Sequence, residues 1–244
     1  MKAIILAAGV SRRLYPITEA NPKCLLDIGG KTILERQLAS LKKQNISRIT
    51  IVLGYYREKI MEFISVNFPD LKVDYIVNQH FFETNTAHSV YLCRESLQND
   101  DHILMNGDVL YPQELLDQVI RDKHSTVLAV DVKKCGQEEV KVIEGANNRI
   151  VAIGKKLVPE NCLGEFIGVA KFSKEFNQEF ADSLEKLINA GGKEDYFEAA
   201  IEYIINKHHV YFTDVSKHPC LEIDFAEDLD NARSIVAREK ASLS

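Results

Sequence analysis

The chain has 244 residues, of which 45% are hydrophobic, 27% charged and 8% aromatic, the balance of a water-soluble globular protein and not of a fibrous, collagen-like or disordered one. Thirty Lys and Arg against 36 Asp and Glu give a formal net charge of −6, so no general basic excess exists to neutralise a nucleic-acid backbone. No nucleic-acid partner is expected, and any positive charge that matters must be local.

The apolar opening Ala3 to Ala8 is far shorter than a membrane span and lacks the flanks of a signal peptide. It reads as a first buried strand, Lys2 to Leu6, with no membrane association expected. Further β-branched runs predict strands at Arg48 to Leu53, Val73 to Val77, His102 to Met105 and Thr126 to Asp131. Between the first two, Thr32 and Glu35 form a capping box, and Leu34, Leu38 and Leu41 line one face of a helix starting at about Ile33. The same helical spacing returns over Arg57 to Val66 and, after Pro112, at Leu115, Leu116, Val119 and Ile120. Beyond Asp131 the pattern changes to a hairpin, Glu139 to Glu144 and Arg149 to Ile153 around Gly145-Ala-Asn-Asn, then a strand at Phe166 to Phe172. Helices over Lys174 to Ala190 and Tyr196 to Lys207, a strand at Val210 to Asp214 and a last helix from about Ala226 complete the chain.

Strands alternating with amphipathic helices predict an α/β class: a Rossmann-like, doubly wound, mostly parallel sheet with helices on both faces. A small β-hairpin/helix subdomain begins after Asp131. With no repeat, low-complexity stretch or linker, residues 1–244 read as a single domain. Five scattered cysteines, Cys24, Cys93, Cys135, Cys162 and Cys220, show no metal-like spacing, and their odd number argues against a disulfide framework and for a reducing cytoplasm.

The segment Leu6-Ala7-Ala8-Gly9-Val10-Ser11-Arg12-Arg13-Leu14, with Pro22-Lys23 eight residues on, carries the strongest chemical signal. A buried strand running into small residues and a glycine lets backbone N–H groups approach an anionic oxygen. Arg13 and Lys23 add full charges. Two look-alike motifs are set aside: Gly29-Gly30-Lys31-Thr32 lacks the earlier P-loop glycine, since Leu25 stands there, and Gly9 has no further glycines at dinucleotide-binding spacing. Asp108, in Met105-Asn106-Gly107-Asp108, falls where open α/β sheets bind ligands, although a lone aspartate there is more often a turn residue or cap. Asp224 and Glu227 form a helix-start signal, which leaves an N-cap open for Asp224.

The L-A-A-G-x-S-x-R-L segment followed by P-K resembles the signature of the nucleotidyltransferases that activate sugar phosphates and other phosphorylated small molecules. The resemblance runs through the chain to Leu221-Glu222-Ile223-Asp224-Phe225-Ala226-Glu227-Asp228-Leu229. It implies that Leu6, Ala7, Ala8, Gly9 and Ser11 wrap a nucleoside triphosphate, that Arg13 and Lys23 contact its phosphates, and that Asp108, after Asn106, holds Mg²⁺ with Asp224. The sequence departs from relatives at Arg12-Arg13 and Leu14-Tyr15, where smaller residues are common. Glu83-Thr84-Asn85-Thr86-Ala87-His88-Ser89 resembles the phosphocholine cytidylyltransferase branch and implies that Asn85 and Ser89 hold the nucleotide, with a helix cap as the local alternative.

Gly164-Glu165-Phe166-Ile167-Gly168 resembles the same branch. A carboxylate beside aromatic residues suits a cationic head group, so Glu165 is expected at the acceptor, a solvated glutamate being the other reading. Ile153-Gly154-Lys155-Lys156 implies a lysine on the acceptor phosphate or the α-phosphate, without fixing which of Lys155 and Lys156 points inward. Asp195, Tyr196 and Glu198 open a helix that borders the acceptor in relatives, with Tyr196 taken as a contact. The expected reaction is transfer of a nucleotidyl group, with CTP the leading donor, to phosphocholine, 2-aminoethylphosphonate or a similar acceptor. Residues 1–131 would serve the nucleotide and 132–244 the acceptor and the metal. A sugar-1-phosphate or inositol-phosphate transferase and a non-catalytic nucleotide-sensing module are the alternatives. A homodimer is compatible with the sequence, which does not fix the oligomeric state.

Overall fold

The computed structural model describes residues 1–243. In chain order the elements are β1 (Lys2–Ala7), α1 (Ile33–Lys43), β2 (Arg48–Leu53), α2 (Arg57–Asn67), β3 (Lys72–Val77), α3 (Thr86–Leu92), α4 (Arg94–Leu97), β4 (His102–Asn106), β5 (Val109–Leu110), α5 (Gln113–Arg121) and β6 (Val127–Asp131). There follow β7 (Lys141–Glu144), β8 (Arg149–Gly154), β9 (Gly164–Phe172), α6 (Lys174–Asn189), α7 (Glu198–Ile204), β10 (Val210–Asp214), β11 (Leu221–Glu222) and α8 (Ala226–Leu243).

Successive side chains of a strand point to opposite faces, and the core divides accordingly. Ala3 and Ile5 of β1 pack with Leu34 and Leu38 of α1, Ile60 of α2 and Leu115 of α5. Ile4 and Leu6 face the other way, with Val90 of α3, Phe180 of α6 and Ile201 of α7. The Thr32 hydroxyl accepts the Glu35 N–H at 3.0 Å, so the capping box opens α1 as its spacing predicts. A third cluster joins Leu229, Ala232 and Val236 of α8 to Leu14, Ile28 and Ile33, fastening the last helix over the loop that follows β1.

The α/β, Rossmann-like class holds, while the nine-stranded sheet is mixed, in the order β3-β2-β1-β4-β9-β6-β10-β8-β7. Parallel pairing governs β3, β2, β1 and β4 and returns between β6 and β10. The expected mostly parallel sheet is corrected at β9, which runs antiparallel between β4 and β6. The hairpin β7–β8 does not stand apart as a subdomain sheet: β8 pairs with β10, and β7 pairs with the start of β9. Strand alternation predicts the strands but not the neighbour each one takes. The expected helix over Tyr196 to Lys207 is shorter, Glu198–Ile204.

Candidate functional site

Parallel strands bring their carboxyl ends to one edge, and here β1 and β4 end side by side, Leu6 opposite Asn106. Gly107 continues the approach: its N–H donates to the Leu6 carbonyl at 2.9 Å, and a Cβ there would stand 2.7 Å from that oxygen. Only glycine lets the turn after β4 close on β1 this tightly. Asp108 therefore emerges beside the Gly9 loop.

The second carboxylate arrives by a separate pairing. The two-residue strands β5 and β11 run antiparallel, with Glu222 opposite Val109, and the Ile223 N–H donates to the Asp108 carbonyl at 3.1 Å. Oxygens of Asp108, Glu222 and Asp224 lie within 4.8 Å of one another. Lys23 Nζ sits among them, 2.7 Å from Asp108 Oδ2 and 2.7 Å from Asp224 Oδ1. Arg13 reaches Asp224 Oδ2 at 3.0 Å, with its guanidinium over the Phe225 ring.

These charges set one another's protonation. Burial alone would lower the Lys23 pKa, but Asp108 and Asp224 hold the ammonium above the ordinary lysine value. Burial alone would raise Asp224, and Lys23, Arg13 and Lys155 overcome it and hold the carboxyl below its usual range. Glu222 has no such partner, and loss of water around its carboxylate with the charges of Asp108 and Asp224 pushes it up.

Around this cluster opens a cavity of about 360 Å³. It is lined by the expected Leu6, Ala8, Gly9, Ser11, Arg13, Lys23, Asn85, Ser89, Asn106 and Asp108, and by Lys155, Glu165, Tyr196 and Asp224 from the second half of the chain. Asn85 caps α3, its Oδ1 accepting the Thr86 N–H at 2.8 Å. Ser89 Oγ accepts from the buried Asn78 amide at 3.3 Å. Lys155 Nζ rests 4.4 Å from the centroid of the Tyr196 ring.

The structure bears further on three expected residues. Ala7 does not line the cavity itself; it lines a smaller adjoining hollow with Gly9, Ser11, Lys23 and Asp108. Lys156 is exposed and absent from the cavity wall, so Lys155 is the inward lysine of the pair. Glu165 reaches the cavity, but Lys133 Nζ stands 2.7 Å from it and 3.1 Å from Asp131. Burial raises the Glu165 carboxyl pKa and Lys133 opposes the rise, so a cationic head group would meet Glu165 already paired with a lysine.

Arg12, Glu138, Glu222 and Glu198, none of them assigned a contact from the sequence, also line the cavity. Glu222 could have been found from its place two residues before Asp224. Glu138 and Lys133 sit in irregular chain with no local signal.

Residues 2–215 match the family described as Nucleotidyl transferase. The chain belongs to that family. Among relatives of this nucleotidyl transferase, the CTP:phosphoglutamine cytidylyltransferase of Campylobacter jejuni is 27% identical over 252 residues, covering 94% of this chain and 98% of the relative. The choline-phosphate cytidylyltransferase of Streptococcus pneumoniae is 26% identical over 245 residues, covering 98% and 100%. The solved structure of a CTP:phosphocholine cytidylyltransferase from Streptococcus pneumoniae shares the fold of this nucleotidyl transferase, with a TM-score of 0.81 at 23% identity over 96% of this chain and 98% of that one. Among the described residues no helix is long and apolar enough to cross a membrane.

Proposed function

We propose that this nucleotidyl transferase moves the cytidylyl group of CTP to a small phosphate or phosphonate acceptor and releases pyrophosphate. The observation that carries the reading is the meeting of Lys23, Arg13 and Lys155 with Asp108 and Asp224 around one cavity beside the Gly9 loop. Residues 1–131 would hold the nucleotide, and residues 132–244 would bring the acceptor and complete the metal site. We take the setting to be the cytoplasm, on the odd number and scatter of the cysteines.

Phosphoryl-type transfer needs positioning and charge neutralisation more than covalent help. A phosphate monoester has a second pKa of about 6, so its oxygen is already anionic at neutral pH and no general base is required. That oxygen attacks the α-phosphorus; the new P–O bond forms as the bond to the β-phosphate breaks, and the electron pair leaves on pyrophosphate. Lys23 and Arg13 would hold the triphosphate oxygens, and Lys155 the approaching acceptor. Backbone N–H groups of the Gly9 loop would orient the departing phosphates.

The donor set suits a hard divalent cation: carboxylate oxygens from Asp108, Asp224 and Glu222, with Asp108 Oδ1 buried and without a partner. Mg²⁺ normally takes one or two carboxylates and fills its other positions with phosphates and water. Asp108 and Asp224 would hold it, and when bound it would offset the repulsion between the two anionic substrates.

The reading is tested by pyrophosphate release across four nucleotides and a panel of phosphorylated acceptors, with and without Mg²⁺. CTP with a phosphate or phosphonate acceptor should give signal that requires the metal. Silence across the whole grid would sink the proposal.

A further inference from the structure

Glu165 is answered by Lys133 and Glu222 lies in the carboxylate cluster with Asp108 and Asp224, but a further carboxylate in the cavity wall, away from that cluster, has no cation paired with it. Glu198 opens α7, is 3% exposed and lines the cavity beside Tyr196, Phe166 and Lys155. Its Oε2 is shut off from water and has no hydrogen-bond partner. Such an oxygen is costly to leave unpaired, and more so when charged. Neighbouring contacts hold it there: the Phe197 N–H donates to Thr86 Oγ1 at 3.1 Å and the Ala87 N–H to the Asp195 carbonyl at 3.1 Å, which ties the start of α7 to α3. Burial pushes the Glu198 carboxyl up to about 7, opposed by its own N–H and by Lys155.

Lys155 acts on both Glu198 and Asp224. An acceptor whose anionic group meets Lys155 sits in the same cavity as Glu198, since Lys155, Glu198 and Asp224 line it together. The group that best answers a buried carboxylate oxygen is a cation that also donates a hydrogen bond. A primary ammonium does both; a trimethylammonium brings charge but no N–H donor, and a sugar hydroxyl donates but brings no charge.

We propose that Glu198 is the acceptor-selecting residue, and that it pairs with the primary ammonium of a short aminoalkyl phosphate or phosphonate whose anionic end lies on Lys155. This rests on the nucleotidyl-transfer reading above and narrows its acceptor. The Tyr196 ring, which already carries the Lys155 ammonium on its face, forms the adjoining wall. A site built to hydrogen-bond one group discriminates strongly against an analogue that lacks it, because the buried partner is then left unpaired.

The test compares 2-aminoethyl phosphate with phosphocholine, ethyl phosphate and glucose 1-phosphate as acceptors with CTP and Mg²⁺, in wild type, Glu198→Gln and Glu198→Asp. Wild type should favour 2-aminoethyl phosphate over the other three by at least tenfold in kcat/KM. Glu198→Gln should lower kcat/KM for the amine at least tenfold more than for ethyl phosphate, mainly through KM. Glu198→Asp covers the case in which the glutamine variant does not fold. Calorimetric titration of 2-aminoethylphosphonate onto protein holding a non-hydrolysable CTP analogue reads the contact without turnover, and weaker binding by the variants supports it. A wild-type preference for phosphocholine or glucose 1-phosphate, or equal losses on ethyl phosphate and the amine, overturns the role of Glu198 while leaving cytidylyl transfer intact. Absence of CTP binding would instead remove the function proposed above, and 2-aminoethylphosphonate titrated alone, bound equally by wild type and variants, would then overturn the Glu198 contact.

Discussion

Lys23 and Asp224 lie 201 positions apart in the chain, and their side chains meet at 2.7 Å. The same ammonium also holds Asp108. The lysine thus answers, within the protein, the negative charge that a divalent ion would answer from outside.

Removing that lysine leaves Asp108, Glu222 and Asp224 crowded without it, and an uncompensated charge cluster is strongly destabilising. Lys23→Gln should lower the metal-free Tm, and millimolar Mg²⁺ should raise the variant's Tm by more than it raises the wild type's. Differential scanning fluorimetry measures both. Equal Mg²⁺ shifts would mean that the lysine and the ion do not answer the same carboxylates. In turnover, loss of one preorganised charge donor should cost about 10²-fold or more in kcat.

Lys155 lines the cavity and Lys156 does not. Lys155→Ala should lower kcat/KM by about 10²-fold, whereas Lys156→Ala should stay within about twofold, as exposed surface changes usually do. Steady-state pyrophosphate release decides between them. A larger loss at Lys156 would reverse the assignment.

His102 is 1% exposed, and burial, helped by Lys2, lowers its pKa below the ordinary 6.5. The folded protein therefore keeps this imidazole neutral at pH values where the unfolded chain takes up a proton. The stability it contributes is complete above about pH 6.5 and falls as pH drops toward the lowered folded value. Glu165 and Glu198, whose pKa values are raised, push the other way over part of that range. The readout is consequently the difference between wild type and His102→Gln: the wild type's advantage in Tm should shrink from pH 8 to pH 5. A constant difference would count against a neutral buried imidazole.

Lys141 is fully buried, and its Nζ donates to the carbonyls of Gly136, Gln137 and Glu139 at 3.1 to 3.2 Å. Charged hydrogen bonds of this kind contribute about 1.5–3 kcal/mol each before the cost of burying the charge. Lys141→Met should destabilise the protein by about 2 kcal/mol net and quicken amide exchange over residues 136–139. Chemical denaturation and hydrogen exchange report the two effects separately. Unchanged exchange in that loop would show that the lysine does not fix it.

What could be read from the sequence was what neighbours in the chain decide. The Thr32–Glu35 cap, the β1 strand running into Gly9 and the β4 strand ending two residues before Asp108 are all set within a few residues. The placement of Asp224 is different in kind: it depends on β5 and β11, two residues each, too short to show a period of two. The quenching of Glu165 by Lys133 depends on β9 starting beside the end of β6, a pairing of strands separated by two others in the chain. The sequence places Glu198 on a helix that borders the acceptor in relatives but assigns it no contact, because burial, which leaves its oxygen without a partner, is a property of the packed molecule alone.

The insertion of β9 between β4 and β6 also governs the order in which the molecule can be made. Before Gly164 to Phe172 are made, β4 lacks the strand that covers its outer edge in the finished sheet and β6 has no partner strand, and bare edges invite association with other chains. Roughly two thirds of the protein must therefore leave the exit tunnel before its central sheet can zip shut.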